Sequence, residues 1–181
     1  ALVTETGERT GRSPNDKFIV DEATTTEDIN WGDVNVSTDL ATFTALRAKV
    51  VAFLEARDAL FVQDLYCGAE STEALPIRVV THNAWHSAFA RNMFVRPDAA
   101  RLAEHEPEFT VLHAPHFEAD PAVDGVNSHV FVIVNYAAKE VIIGGSRYAG
   151  EIKKSIFSVM NLILPKNCLL YTSDAADDDV R

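Results

Sequence analysis

The 181-residue chain is predicted to fold as one mixed α/β lobe. Three observations lead there. Short apolar runs bounded by turn residues have the length of strands, and other stretches repeat their apolar residues at three and four, as helices do. The two kinds follow one another without the strict strand–helix–strand alternation that a doubly wound parallel sheet requires.

Taken in order, "DKFIVDE" (Asp16 to Glu22) reads as a short strand. From Ser37 to Arg57, Leu40, Phe43, Leu46, Val50 and Phe53 recur at helical spacing, with Ser37 or Thr38 as N-cap. "ALFVQDLYCG" and "PIRVVT" (Pro76 to Thr81) read as two strands with turn residues between them. "HNAWHSAFARNMF" spaces Trp85, Phe89 and Met93 by four, which predicts a helix with an aromatic face towards the core. Three more strands follow, "FTVLHA" (Phe109 to Ala114), "HVFVIVN" (His129 to Asn135) and "KEVIIGG" (Lys139 to Gly145). "EIKKSIFSVMNLIL" closes the pattern as a helix, with Ile152, Ile156, Val159, Met160 and Ile163 on its apolar face. The last stretch, "NCLLYTSDAADDDVR", sets four aspartates against one arginine with no period that buries a face. It reads as a disordered tail or as sequence foreign to the domain.

Composition narrows the function. A net charge of −11 argues against a nucleic-acid or anionic-membrane surface as the main partner. Cys67 and Cys168 are too few for a disulfide framework or a zinc site, which favours a reducing compartment. No apolar run reaches the length of a membrane span. A soluble, cytoplasmic protein is the expectation. The chain also starts without Met and inside patterned sequence, so upstream residues are expected.

Three features carry chemistry. In "RTGRSPNDK", Thr10, Gly11, Ser13 and Pro14 form a turn that holds Arg12 on a constrained backbone before a strand. The planar guanidinium fork grips a carboxylate or phosphate in a geometry that lysine does not copy. The plainer alternative is a surface arginine paired with Asp16.

The second feature is "GGSRYAGEIKKS". Gly144 and Gly145 end a strand, Gly150 permits close approach of a ligand, and Glu151 suits a helix N-terminus. Lys153 and Lys154 do not suit it, because the helix dipole is already positive there. They point about 100° apart, so one can meet an anion while the other, when deprotonated, offers an amine to a metal. Tyr148 lies close by in sequence. Alternatively, both lysines are solvated and cost a few tenths of a kcal/mol each.

The third is the pair His82 and His86, four apart on the expected helix, a spacing that can bind zinc. "HNAWH" lacks the glutamate of HExxH, and Trp85 between them favours a structural role. His105, His113, His116 and His129 form no metal-site spacing, and no G-x-x-x-x-G-K-[ST] stretch is present.

"TGRSPNDKFIV", "RVVTHNAWHSAFARNMFVRP" and "IIGGSRYAGEIKKSIFSVMNLILP", in that order and spacing, resemble the ATP-dependent phosphoenolpyruvate carboxykinase family over about residues 1–166. The resemblance covers the N-terminal, substrate-binding lobe of a two-lobed enzyme; residues 167–181 depart from it. It implies conversion of oxaloacetate and ATP to phosphoenolpyruvate, ADP and CO2, a reaction of gluconeogenesis, with Mg²⁺ on the nucleotide and Mn²⁺ at the site. Arg12 matches the family's carboxylate-binding arginine, and Tyr148 its substrate-side tyrosine. Lys154 matches the lysine that binds Mn²⁺ and substrate, and Lys153 would hold phosphate oxygens or the enolate.

The family's P-loop and its histidine and acidic metal ligands follow the part matched here. In their place stands "CLLYTSDAADDD", which reads as a foreign end on a truncated fragment, so the polypeptide alone is expected to be inactive. The competing reading is a stand-alone module that binds a small dicarboxylate without chemistry.

Overall fold

In a computed structural model of the chain, residues 4–7, 10–69 and 74–166 are described. The expectations for the tail after residue 166, for Cys168, for Arg9 and for the first three residues lie outside them.

Seven strands form one sheet in the order β2-β1-β6-β7-β5-β4-β3. They are β1 (Lys17–Val20), β2 (Val36–Thr38), β3 (Phe61–Cys67), β4 (Leu75–Thr81), β5 (Phe109–Ala114), β6 (Phe131–Asn135) and β7 (Glu140–Gly144). The sheet is mixed, as expected. β1 runs parallel to β2 and β6, and β4, β5 and β7 run parallel to one another. The pairs β6–β7 and β3–β4 are antiparallel.

The helices are α1 (Leu40–Glu55), α2 (Ala84–Met93), α3 (Ala99–Ala103), α4 (Pro121–Asp124) and α5 (Gly150–Lys166). On one face of the sheet, Phe43, Leu46, Val50 and Leu54 of α1 pack on Phe18, Val20, Leu112, Ile133 and Ile142. On the other, Ile152, Ile156 and Val159 of α5 and Ala90 of α2 pack on Val79, Val111, Val134, Val141 and Ile143. Every residue of β6 and β7 is buried. Burial on both faces is why those strands read as unbroken apolar runs instead of alternating ones.

Two boundaries differ from the sequence reading. Ser37 and Thr38 do not cap α1; they form β2, paired with Ile19 and Val20. Asp39 caps instead, its carboxylate accepting the Thr42 N–H at 2.6 Å, and that bond holds its carboxyl below the usual range. His82 likewise falls outside α2, because Asn83 caps it by accepting from the Trp85 N–H at 2.9 Å.

The aromatic face expected of α2 turns outwards. Trp85 and Met93 are 38% and 41% exposed, whereas His86, Ser87 and Ala90 face the sheet. Small side chains let the helix lie close on β3 and β4, and Ser87 accepts a hydrogen bond from Gln63. Equal spacing puts residues on one face of a helix without saying which face is buried.

The exit from β7 depends on glycine. Gly145 has φ +69°, and a Cβ there would lie 2.5 Å from the His129 carbonyl oxygen. Gly145→Ala is expected to cost at least about 2 kcal/mol, from left-handed strain plus overpacking. Urea unfolding checks this, and a variant as stable as the wild type contradicts it.

Candidate functional site

One edge of the sheet gathers the residues that carry chemistry. Because β6 runs against β7, the N-terminal ends of β1 and β6 lie beside the C-terminal ends of β7, β5 and β4. The Arg12 turn, the β7 exit and the start of α5 therefore meet there. In sheets with parallel strands, this is the edge where ligands bind.

The Arg12 turn is fastened at several points. Pro14–Asp16 make a 3-10 turn closed by the Asp16 N–H on the Ser13 carbonyl, at 3.1 Å. The Asn127 side chain donates to the Asn15 carbonyl at 2.6 Å, and the Ser128 hydroxyl donates to the Asp16 carboxylate at 2.8 Å. The longest-range tie is the Ser13 N–H donating to Glu151 Oε1 at 2.8 Å. Glu151 stands in the first turn of α5 and is buried. Burial pushes its carboxyl above the usual range, against the pull of the Ser13 N–H, Arg12 and Lys17.

Between this turn, the loop around Asp28–Asn35 and the side of α5 lies a cavity of about 570 Å³. It lies beside α5, which packs over β6 and β7, and above Lys17 and Ile19 of β1. Arg12, Lys17 and Lys154 line it together with Glu151, and Asp28 and Asp33 stand on its other side. Asp28 pairs with Lys166. The Lys154 ammonium sits 4.3 Å from the centroid of the Phe157 ring. On the wall built by the Arg12 turn, β1 and α5 three cations share the one buried carboxylate of Glu151, with Asp28 and Asp33 facing them across the cavity, so an anion is the complementary occupant of that wall.

Lys17 is the member that the sequence reading missed. Its ammonium donates to the Ser158 hydroxyl at 2.5 Å, a neutral partner. Burial first, and then the Lys154 charge, hold it below the usual lysine range, with Arg12 adding and Glu151 opposing. A signal was present in "DKFIV": strand alternation puts Lys17 on the face of Ile19, opposite Phe18 and Val20, whose side chains enter the core.

Of the expected site residues, the fold brings Arg12 and Lys154 into one cavity. Lys153, the next residue round α5, is exposed and lines no part of it. Tyr148 is half-buried just ahead of α5 and also lies off the cavity wall. The room at Gly150 goes to this tyrosine and not to a ligand, since a Cβ on Gly150 would lie 2.4 Å from the Tyr148 ring.

The histidines assort in a way that spacing does not show. His82, off the helix, meets His116 with Nε2 to Nδ1 at 2.8 Å, and Phe53 packs edge-on against its ring. His86 packs edge-on against His113, with centroids 4.5 Å apart. The helical zinc pair is therefore not formed. Among the described residues no group of three or more His, Cys, Asp or Glu can hold a metal ion. Lys154 by itself is one nitrogen donor packed on a ring, so the described residues do not by themselves make the Mn²⁺ site.

Comparison with known proteins gives one family. Residues 1–179 match the family model for phosphoenolpyruvate carboxykinase. A protein of Brevibacillus brevis named phosphoenolpyruvate carboxykinase (ATP) is 53% identical over 170 residues, 94% of this chain and 32% of its own length. One from Geotalea uraniireducens with the same name is 53% identical over 165 residues, 91% and 31% of the two chains. A third, phosphoenolpyruvate carboxykinase (ATP) 1 of Salinibacter ruber, is 52% identical over 169 residues, 93% and 31%. The chain spans about a third of the length of these relatives.

Burial holds His82 and His86 each at about 4, with the neighbouring cations and imidazoles adding for His82. The unfolded chain, with histidines near 6.5, binds more protons between those values than the fold does. Their contribution to stability is thus complete above pH 6.5 and is lost as pH falls towards 4. His86→Gln, which keeps an N–H but takes no charge, is expected to lose less stability between pH 7 and pH 5 than the wild type. Urea midpoints at the two pH values measure it, and equal losses contradict the assignment.

Proposed function

Because the chain belongs to the ATP-dependent phosphoenolpyruvate carboxykinase family, we propose that its cationic cavity takes the oxaloacetate side of that enzyme's reaction. The observation that carries this is the convergence of Arg12, Lys17 and Lys154, from a turn, a strand and a helix, on one cavity. The Arg12 fork binds a substrate carboxylate bidentately. Tyr148, two residues ahead of the same helix and outside the cavity wall, approaches the substrate from beyond that wall. When the C–C bond to the departing carboxylate breaks, CO2 leaves, the bond's electron pair becomes the C=C bond of the enolate, and the carbonyl π pair moves onto the enolate oxygen. Lys154 and Lys17 stabilise that oxygen as charge develops, and Lys153 on the outer side of the helix serves phosphate oxygens.

Transfer of the γ-phosphoryl group of ATP to the enolate, with Mg²⁺ and Mn²⁺, completes the reaction in the whole enzyme and yields phosphoenolpyruvate and ADP. Lys154 is proposed as one of the donors to Mn²⁺ there. The described residues supply neither a nucleotide loop nor the remaining metal donors. The activity is assigned to the cytoplasm, where Cys67 stays a thiol.

Oxalate, a dianion with the carboxylates of the substrate and no reactive carbon, tests the cavity. Titration calorimetry at low salt is expected to show binding that weakens about tenfold or more in Arg12→Lys and in Lys17→Met, since a hydrogen bond to a charged group contributes about 1.5–3 kcal/mol. Wild-type chain that does not bind oxalate, or variants that bind it equally, sink the reading. The 181-residue polypeptide alone is expected to release no ADP from ATP in the presence of oxaloacetate, and turnover comparable to a full-length relative contradicts that.

A further inference from the structure

The segment from Gly145 to Ala149 leaves the sheet before α5 begins, so sheet pairing no longer satisfies its carbonyls. Two of these are met by histidines from different elements. His113, at the end of β5, places Nε2 at 2.9 Å from the Ser146 carbonyl oxygen. His86, on α2, places Nε2 at 2.8 Å from the next carbonyl, that of Arg147. Both side chains are fully buried, and their rings pack edge to face at 74°.

This geometry specifies the protonation state. A carbonyl only accepts, so Nε2 of each ring carries the hydrogen. Each Nδ1 is buried without a partner, and a proton there would put an N–H among groups that do not accept it. The titratable groups facing the cluster are His82 and His116, both held below the usual histidine range mainly by burial and so neutral at neutral pH, and a proton on either would disfavour one on His113. Two neutral donors therefore clamp consecutive carbonyls immediately before Tyr148, whose ring in turn lies over Gly150.

We infer that His86 and His113 are positioning residues that tether the Ser146–Arg147 segment and so set Tyr148 and the first turn of α5 against the Arg12 turn. They touch no substrate; they act through the backbone they hold. Apolar residues of similar bulk would fill the same space but leave two buried carbonyls without donors, and that difference separates a tether from simple core filling. The inference rests on the reading of Tyr148 as a substrate-side residue, although the tether itself is measurable without ligand.

In the 181-residue chain, His113→Leu keeps bulk and removes the donor, whereas His113→Gln restores an N–H of similar reach. Hydrogen–deuterium exchange at residues 145–151 is expected to quicken at least tenfold in His113→Leu and to recover in His113→Gln, with the Tyr148 ring resonances shifting in the first and returning in the second. Oxalate affinity should follow the same order, while Leu46→Ala, destabilising from the opposite face of the sheet, leaves it within twofold. Unchanged exchange and ring shifts in His113→Leu overturn the inference. Should that variant not fold, ¹⁵N spectra of the wild-type histidines decide: the Nε2–H tautomer for His86 and His113 supports the tether, and Nδ1–H refutes it. Wild-type chain that shows the tether but binds no oxalate overturns the substrate-side reading of the site and not the tether.

Discussion

The Arg12 turn and the helix that carries Lys154 stand 138 residues apart at their point of contact, where the Ser13 N–H meets the Glu151 carboxylate. The rest of the site depends on this bond. It fixes the Arg12 turn against the first turn of α5, and it places one negative charge among three positive ones. Without Glu151, Arg12, Lys17 and Lys154 would repel one another across the cavity they line. With it, they stay close, and their wall of the cavity still carries more cations than carboxylates, Asp28 and Asp33 standing opposite. Burial pushes the Glu151 carboxyl above its usual range, and the Ser13 N–H, Arg12 and Lys17 offset part of that.

The sheet supplies the rigidity that such a site needs. Its central strands are buried on both faces, and its ion pairs, Arg47 with Glu140 and Lys49 with Asp124, tie the opposite-face helix α1 to the β7 strand and the α4 turn. The antiparallel turn from β6 into β7 is what brings the start of α5 back to the edge where β1 begins. A strictly parallel connection would have delivered that helix to the other end of β1. The mixed topology is therefore a condition for the site.

The histidines show how far sequence spacing carries. His82 and His86, four apart, belong to different couples, and their partners His116 and His113 lie about 30 residues on. That grouping exists because β4 and β5 are parallel neighbours whose C-terminal ends share an edge. Proximity of this kind is a property of strand order, which no local window of sequence contains. The exposed face of α2 follows the same rule, because a helix is oriented by the surface it packs on.

Local physics made much of this protein legible in its sequence. Apolar periodicity marked out six of the strands and the three long helices, while β2 and the short helices, with too few residues to show a period, went unread. The planar chemistry of Arg12 and the misplaced charges of the lysine pair identified two sides of the candidate site, and three extended motifs identified the family. Tertiary structure decided what depends on distance. It separated Lys154, at the cavity, from Lys153, outside it, added Lys17 from a strand that looked like core, and gave Gly150 to the Tyr148 ring. The reason is physical: periodicity and capping act over a few residues, whereas burial, charge coupling and hydrogen bonding to distant backbone arise only once the sheet has set which segments are neighbours.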